Sequence, residues 1–348
     1  MAVSRLLRRA VFGSDAVGDM KRLCVVGAGA IGGYIGTRLA AAGYPTSAVA
    51  RGATLEALRR HGWRLRTTEG EVTAPVLASD DPAELGPQDV VVIAVKAPAL
   101  PAVAGRIAPL LGPETVVVPA MNGVPWWFFD GFGGACEGLR LTSADPDGRL
   151  AAALPTRRIL GCVVHVACSV AEPGVIQHGA GTSFILGEPD GTVSGRLSAV
   201  TEAFRSARLE ATVSTSIRED IWYKLWGNMT MNPVSVLTGA TTDLILDDPL
   251  VDRFCRSVMS EAAAIGAKIG CPIEQSPADR NAVTRRLGAM KTSMLQDAEA
   301  GRPLELDALL TAVREIGQAA GEPTPQIDAL LGLTRLGARV RGLYPAPR

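Results

Sequence analysis

The chain comprises 348 residues, two domains' worth of sequence at ~100–200 residues per domain. It is 47% hydrophobic and 20% charged, enough apolar material for a sizeable core and too little charge for a disordered chain. Lysine plus arginine balance aspartate plus glutamate at 35 each, so no basic field directs it to nucleic acid or anionic lipid, and no apolar run reaches the ~18–20 residues that span a bilayer.

Residues 1–20 stand apart. Arg5, Arg8 and Arg9 precede a polar Gly/Ser/Asp stretch, with no acid before residue 13. We read 1–20 as a flexible N-terminal extension upstream of a second start at Met20, in preference to a short amphipathic helix or targeting peptide. Next comes Leu23–Val26, a short apolar run suited to a buried parallel strand. It leads directly into Gly27-Ala28-Gly29-Ala30-Ile31-Gly32 and a helical stretch that stops at Gly43. Between a strand and a helix, G-x-G-x-x-G is a dinucleotide fingerprint. Gly27 permits the tight turn, Gly29 lets a pyrophosphate approach the backbone, and Gly32 lets helix and strand pack closely. The unpaired N–H groups of the helix start favour the phosphates.

The second predicted strand, Thr46–Ala50, ends where an adenosine ribose would lie. An NAD site wants an acid there to accept from the 2′-hydroxyl. This chain has Arg51-Gly52-Ala53-Thr54, and its next acid, Glu56, is already in a helix-like run. A guanidinium suits a 2′-phosphate, so we read the cofactor as NADP(H) and assign Arg51 to it. Val90–Val95 is a further strand ending at Lys96, and Thr115–Val118 another ending in Pro119–Val124. Lys96 and Asn122 thus fall at the carboxyl rim of the sheet, where open α/β sheets bind ligands. The aromatic stretch Trp126–Phe129 and the polar Ser143–Gly148 loop form a flap or insertion that either shapes a substrate pocket or packs on the sheet. Ile159–Ser169, Phe184–Leu186 and Ala211–Ser214 are predicted strands, with Gly195–Leu209 a helix.

Six cysteines without a C-x-x-C pair indicate a reduced, intracellular chain. Cys162, His165 and Cys168 do not make a metal site, because on a strand His165 points away from the other two. From about Ser216 the pattern turns helical. Ser216–Glu219 has the spacing of a capping box, and Lys224, Asn228 and Asn232 recur at i, i+4 and i+8 on one face of an otherwise apolar helix. Such polar groups seek water, a buried partner or a ligand, and an ammonium beside two amides suits a small oxygen-rich ligand. Pro233 should bend or end that helix. Pro249–Ile269 and Pro277–Met290 follow, with Asp248 and Ser276 as N-caps. Spacing alone does not distinguish Ser293 and Glu305 from a helix cap and a surface acid.

Together these residues identify a resemblance to ketopantoate reductase (2-dehydropantoate 2-reductase) over essentially all of the chain after residue 20. It is carried by GAGAIG at Gly27–Gly32, Arg51, Lys96, Asn122-Gly123, Leu160-Gly161 through Ala167, K-x-x-x-N-x-x-x-N-P from Lys224 to Pro233, and S-M-L-Q-D…E-L-D from Ser293 to Asp307. The resemblance implies an α/β fold, with an N-terminal Rossmann-type dinucleotide-binding domain over 21–214 and an all-helical C-terminal substrate and catalytic domain over 215–348, separated by a cleft. It implies NADPH-dependent reduction of 2-dehydropantoate to (R)-pantoate in a cytoplasmic enzyme. Gly27–Gly32, Arg51, Lys96, Asn122, Ala167 and Glu305 would hold the cofactor. Lys224, Asn228, Asn232 and Ser293 would contact the substrate, with Lys224 as proton donor. The chain departs from the family pattern at Thr242 and Met290, where asparagines are expected. That leaves open a paralogue acting on another small 2-oxo or hydroxy acid. A non-catalytic NADP-binding sensor would have lost Lys224. The expected partner is a small 2-oxo acid, with no nucleic acid and no membrane. A homodimer is compatible with a helical C-terminal domain, and no apolar stripe in the sequence fixes it.

Overall fold

The computed structural model describes residues 22–346, and the extension expected over 1–20 lies outside them. The chain divides into two compact units. One runs to Met121 and resumes over Arg149–Ile217; the other comprises Asn122–Gly148 and Arg218 onward. The expected division at 214/215 falls near the second crossing, but it places 122–148 in the nucleotide-binding domain. Those residues group instead with the helical unit, because their backbone is bound there. Arg218 donates to the carbonyls of Phe128 and Asp130, and Val124 N–H donates to Ala308 O.

In chain order the first unit begins with β1 (Leu23–Val26), α1 (Ala30–Ala41), β2 (Thr46–Val49), α2 (Gly52–His61), β3 (Trp63–Thr67) and β4 (Gly70–Ala74). It continues with β5 (Leu77–Ser79), α3 (Pro82–Leu85), β6 (Gln88–Ile93), α4 (Leu100–Ala104) and β7 (Leu111–Pro119). After the excursion into the other unit come α5 (Arg149–Ala153), β8 (Gly161–Glu172), β9 (Val175–Gly187), α6 (Gly195–Ser206) and β10 (Glu210–Ser214). One sheet is all parallel, in the order β5-β2-β1-β6-β7. The order reverses at β1, the topological switch point beside which doubly wound sheets bind nucleotides. All four residues of β1 are buried, and so are Val90–Ile93 of β6, as strands covered on both faces require.

The second sheet was not expected. It has the order β10-β9-β3-β4, with β8 pairing antiparallel to β9 in a long hairpin. The predicted strand Phe184–Leu186 is the end of a 13-residue strand. Helix α1 lies between the sheets. A Cβ at Gly32 would meet Val25 at 2.9 Å and Ala94 at 3.1 Å, whereas Cβ atoms at Gly33 and Gly36 would lie 2.5 Å from Ile176 and Trp63 of the second sheet. Three glycines therefore let one helix approach both layers, and Trp63 closes the seam by donating from Nε1 to Thr46 Oγ1.

The second unit is helical: α7 (Ile217–Thr238), α8 (Thr242–Asp247), α9 (Pro249–Ile269), α10 (Pro277–Arg285), α11 (Ser293–Glu299), a π-helical turn (Asp307–Thr311), α12 (Ala312–Ala320) and α13 (Pro325–Val340). Asp248 caps α9 by accepting from the N–H groups of Leu250 and Val251, and Gly270 ends it in the left-handed region at φ +85°. Ser276 caps α10. Three expectations need correction. Helix α10 stops at Arg285, short of Met290. Thr292, not Ser293, is the N-cap of α11, so Ser293 is its exposed first residue. Pro233 does not end α7, which continues to Thr238. Its missing N–H costs about 3 kcal/mol in an isolated helix. Between Leu225 and Val236 every residue except Asn228 is buried, and that burial outweighs the loss.

Candidate active site

At the carboxyl ends of β1, β2 and β6 the first unit has a cavity of about 220 Å³. Its floor is the predicted fingerprint turn. Gly27 sits at φ +97°, and a Cβ there would lie 2.6 Å from Val95 Cγ1, so only glycine fits. Gly29 is the N-cap of α1, and a Cβ built on it would meet nothing within 4 Å, which leaves open space before the free N–H groups of the helix start. Val26, Ala28, Val49, Ala50, Arg51 and Thr54 continue the wall. Among the described residues no carboxylate lines the cavity, and its charges are Arg51 and Arg106. The donor set therefore fits a dinucleotide bearing a 2′-phosphate.

Arg106 was missed in the sequence. It follows α4 without any motif, and only the fold brings it here, where its guanidinium donates to Asp80 O just beyond β5. Lys96 follows β6, exposed, as N-cap of a 3₁₀ turn. Ala167 is exposed on β8 opposite Ala180. Neither lines the cavity. Burial pushes the thiol of neighbouring Cys168 up to about 12.

In the second unit, Lys224 Nζ donates to Asn122 Oδ1 at 2.8 Å. The lysine is half-buried on α7, with Trp222, Leu225 and Trp226 each no more than 2% exposed. Trp226 is fixed by donating from Nε1 to Met259 O at 2.7 Å. Asn228 and Asn232 continue the lysine's face one and two turns on; Asn228 is half-buried and Asn232 5% exposed. Among the described residues neither side-chain amide takes part in a hydrogen bond within the protein. Amides without a partner in the protein are open to water or to a ligand. Glu305 is 6% exposed, which corrects the reading of it as a surface acid, and it lies two residues before the π-turn.

The two positions that depart from the family pattern touch each other. Thr242 is fully buried; its N–H donates to Met290 O, its Oγ1 donates to Gly288 O, and Met290 N–H returns to Thr242 Oγ1 at 3.4 Å. Elsewhere in this unit the segment 122–148 supplies core. Arg218, 4% exposed, donates to Phe128 O at 2.7 Å, and its guanidinium lies over the rings of Trp127 and Phe132. Trp126–Phe129 are all buried, in a segment that groups with the helical unit. Glu315 of α12 fastens the far end by accepting from the N–H and hydroxyl groups of Thr142 and Ser143. Burial, the largest single influence on that carboxyl, raises its pKa, but the four hydrogen bonds together hold it below the usual range.

Comparison with known proteins agrees with this geometry. Residues 23–126 match the family model for ketopantoate reductase PanE/ApbA, and residues 216–338 match its C-terminal model. A 2-dehydropantoate 2-reductase from Mesorhizobium japonicum is 46% identical over 324 residues, covering 93% of this chain and 99% of that protein. A crystal structure assigned to a ketopantoate reductase from Ralstonia solanacearum MolK2 is 61% identical with a TM-score of 0.91, covering 94% of this chain and all of the other. The 2-dehydropantoate 2-reductase of Methylococcus capsulatus is 28% identical, with a TM-score of 0.79 over 92% of this chain and 97% of that one. With the glycine turn, the lysine–asparagine pair and both family models in place, the chain belongs to the ketopantoate reductase family of NADP-dependent oxidoreductases.

Proposed function

We propose that this protein reduces 2-dehydropantoate to (R)-pantoate, with Lys224 delivering the proton. The observation that carries the reading is the Lys224–Asn122 hydrogen bond on a helix face continued by two unengaged amides. NADPH, when bound, supplies the hydride. The Gly27–Gly32 turn and the start of α1 would hold its pyrophosphate and Arg51 its 2′-phosphate. Lys96, Asn122, Ala167 and Glu305 keep the cofactor roles that family resemblance gives them.

As a ketone carbon is reduced, negative charge grows on its oxygen. An ammonium has three N–H groups, and Asn122 takes one of them. A remaining N–H can stabilise the developing alkoxide and then transfer its proton to it. Asn228, Asn232 and Ser293 would orient the carboxylate and hydroxyl of the substrate. Six free cysteines, none of them in a disulfide, accord with a reducing cytoplasm.

A second reading is favoured by Thr242 and Met290, whose mutual hydrogen bonds put a short hydroxyl and a thioether where the family pattern has amides. It is the reduction of a different small 2-oxo acid by the same lysine. NADPH consumption by the purified protein across a panel of 2-oxo acids separates the two. Highest kcat/KM on 2-dehydropantoate supports the first reading, and a preference of tenfold or more for another acid replaces it with the second.

A further inference from the structure

Lys224 Nζ donates to Asn122 Oδ1, and Asn122 lies on a loop. What fixes it is the residue that follows. Gly123 has φ +86°, and a Cβ built there would lie 2.6 Å from Ala308 Cβ and 2.7 Å from the Ala308 carbonyl carbon, closer still to the oxygen. Only glycine permits both this backbone conformation and this approach. Val124 N–H then donates to that same Ala308 carbonyl at 3.0 Å. Ala308 belongs to the π-helical turn Asp307–Thr311, where one extra residue per turn loosens the α-helical ladder. The turn itself is tethered, since Asp307 Oδ1 accepts from Thr311 Oγ1 at 2.9 Å and from Tyr344 Oη at 2.6 Å.

We propose that the π-turn and Gly123 form a positioning device for proton delivery: the Ala308 carbonyl anchors the Asn122–Val124 turn, and the anchored turn aims Asn122 Oδ1 at Lys224 Nζ. Gly123 and Ala308 are positioning residues that act through Asn122. The proposal rests on Lys224 as proton donor. It explains why a π-turn, rarely used as plain structure, stands at this place in the chain. Accepting a hydrogen bond from the ammonium favours its charged form, so loosening Asn122 lowers the apparent pKa of Lys224 and moves the basic limb of the kcat profile to lower pH.

The test is a double-mutant cycle on the full-length enzyme with Gly123→Ala and Asn122→Ala. Gly123→Ala should lower kcat by about tenfold or more, and Asn122→Ala by a similar factor. Both should shift the basic limb downward, and the double variant should be no slower than the slower single one within about twofold, because both changes break one link. A general packing defect would not shift the limb, and its loss would multiply with that of Asn122→Ala; either result overturns the proposal, as does wild-type kcat in Gly123→Ala. Should Gly123→Ala fail to fold, Tyr344→Phe removes one tether of the π-turn and should show the same downward limb shift with a smaller loss of kcat; an unmoved limb there also overturns it. Lys224→Ala is assayed alongside. Wild-type turnover in that variant removes the proton-donor reading and this proposal with it. An inactive Lys224→Ala beside a fully active Gly123→Ala leaves that reading standing and sinks only the positioning device.

Discussion

Replacing Arg51 with alanine should convert a strong preference for NADPH into a weak one. Arg51 is exposed at the end of β2, in a cavity with no carboxylate and one other cation, Arg106. Unit charges 4 Å apart interact by about 1 kcal/mol at the dielectric of water and about 4 kcal/mol at an effective value near 20. An exposed guanidinium belongs toward the lower end, but a phosphate monoester carries about −1.5 to −2 charges at neutral pH. The two corrections offset each other, and about 2–3 kcal/mol is the expected loss, or roughly 30- to 150-fold weaker NADPH binding. NADH lacks the 2′-phosphate and should bind within about twofold of wild type. Arg51→Asp adds a repulsion of similar size and should bring the NADPH loss to about 10³–10⁴-fold. Because the pair is exposed, wild-type affinity for NADPH should also fall with ionic strength, more steeply than in the alanine variant. Equilibrium titration of both nucleotides by quenching of tryptophan fluorescence reads all of this. Equal weakening of NADPH and NADH, or none of either, would refute assignment of the 2′-phosphate to Arg51.

Two further outcomes follow from the second unit. Glu315 has a depressed pKa in the folded state, so its stabilisation is fully present above the ordinary carboxyl pKa and is lost as pH falls through the lower, folded value. Glu315→Gln should cost about 1–2 kcal/mol at neutral pH and flatten the acid limb of stability between those two values, as read by urea unfolding from pH 7 to pH 3. An unchanged acid limb would show that the four bonds to Thr142 and Ser143 contribute nothing in solution. Asn232→Ala should raise KM for the 2-oxo acid about tenfold with NADPH binding unchanged; unchanged KM would mean that this buried amide does not face the substrate.

The parts of the molecule with local causes were legible in its sequence. The strand–turn–helix at Leu23–Ala41 could be read because each glycine answers a short-range steric demand, and α9 because Asp248, Pro249 and Gly270 mark its ends by backbone chemistry. Lys224, Asn228 and Asn232 could be placed on one face from helical period alone. What stayed hidden depends on distant partners. Strand β3 alternates buried Trp63 and Leu65 with half-buried Arg64 and Arg66, a legible pattern, but its pairing with β9 joins segments more than a hundred residues apart. Membership of 122–148 in the helical unit hangs on Arg218 reaching the carbonyls of Phe128 and Asp130, and nothing in either segment names the other. Arg106 entered the nucleotide cavity, and the π-turn formed after Glu305, without a compositional signal. That Pro233 does not end α7 was hidden because a local breaker was weighed without the burial around it.

The central claim is that the ammonium of Lys224 delivers the proton. Single-turnover oxidation of pre-bound NADPH by 2-dehydropantoate, compared between the wild-type protein and Lys224→Ala, addresses it directly. The variant should bind NADPH within about threefold of wild type and react about 10²–10⁴-fold more slowly. A single-turnover rate equal to that of the wild type would contradict the account.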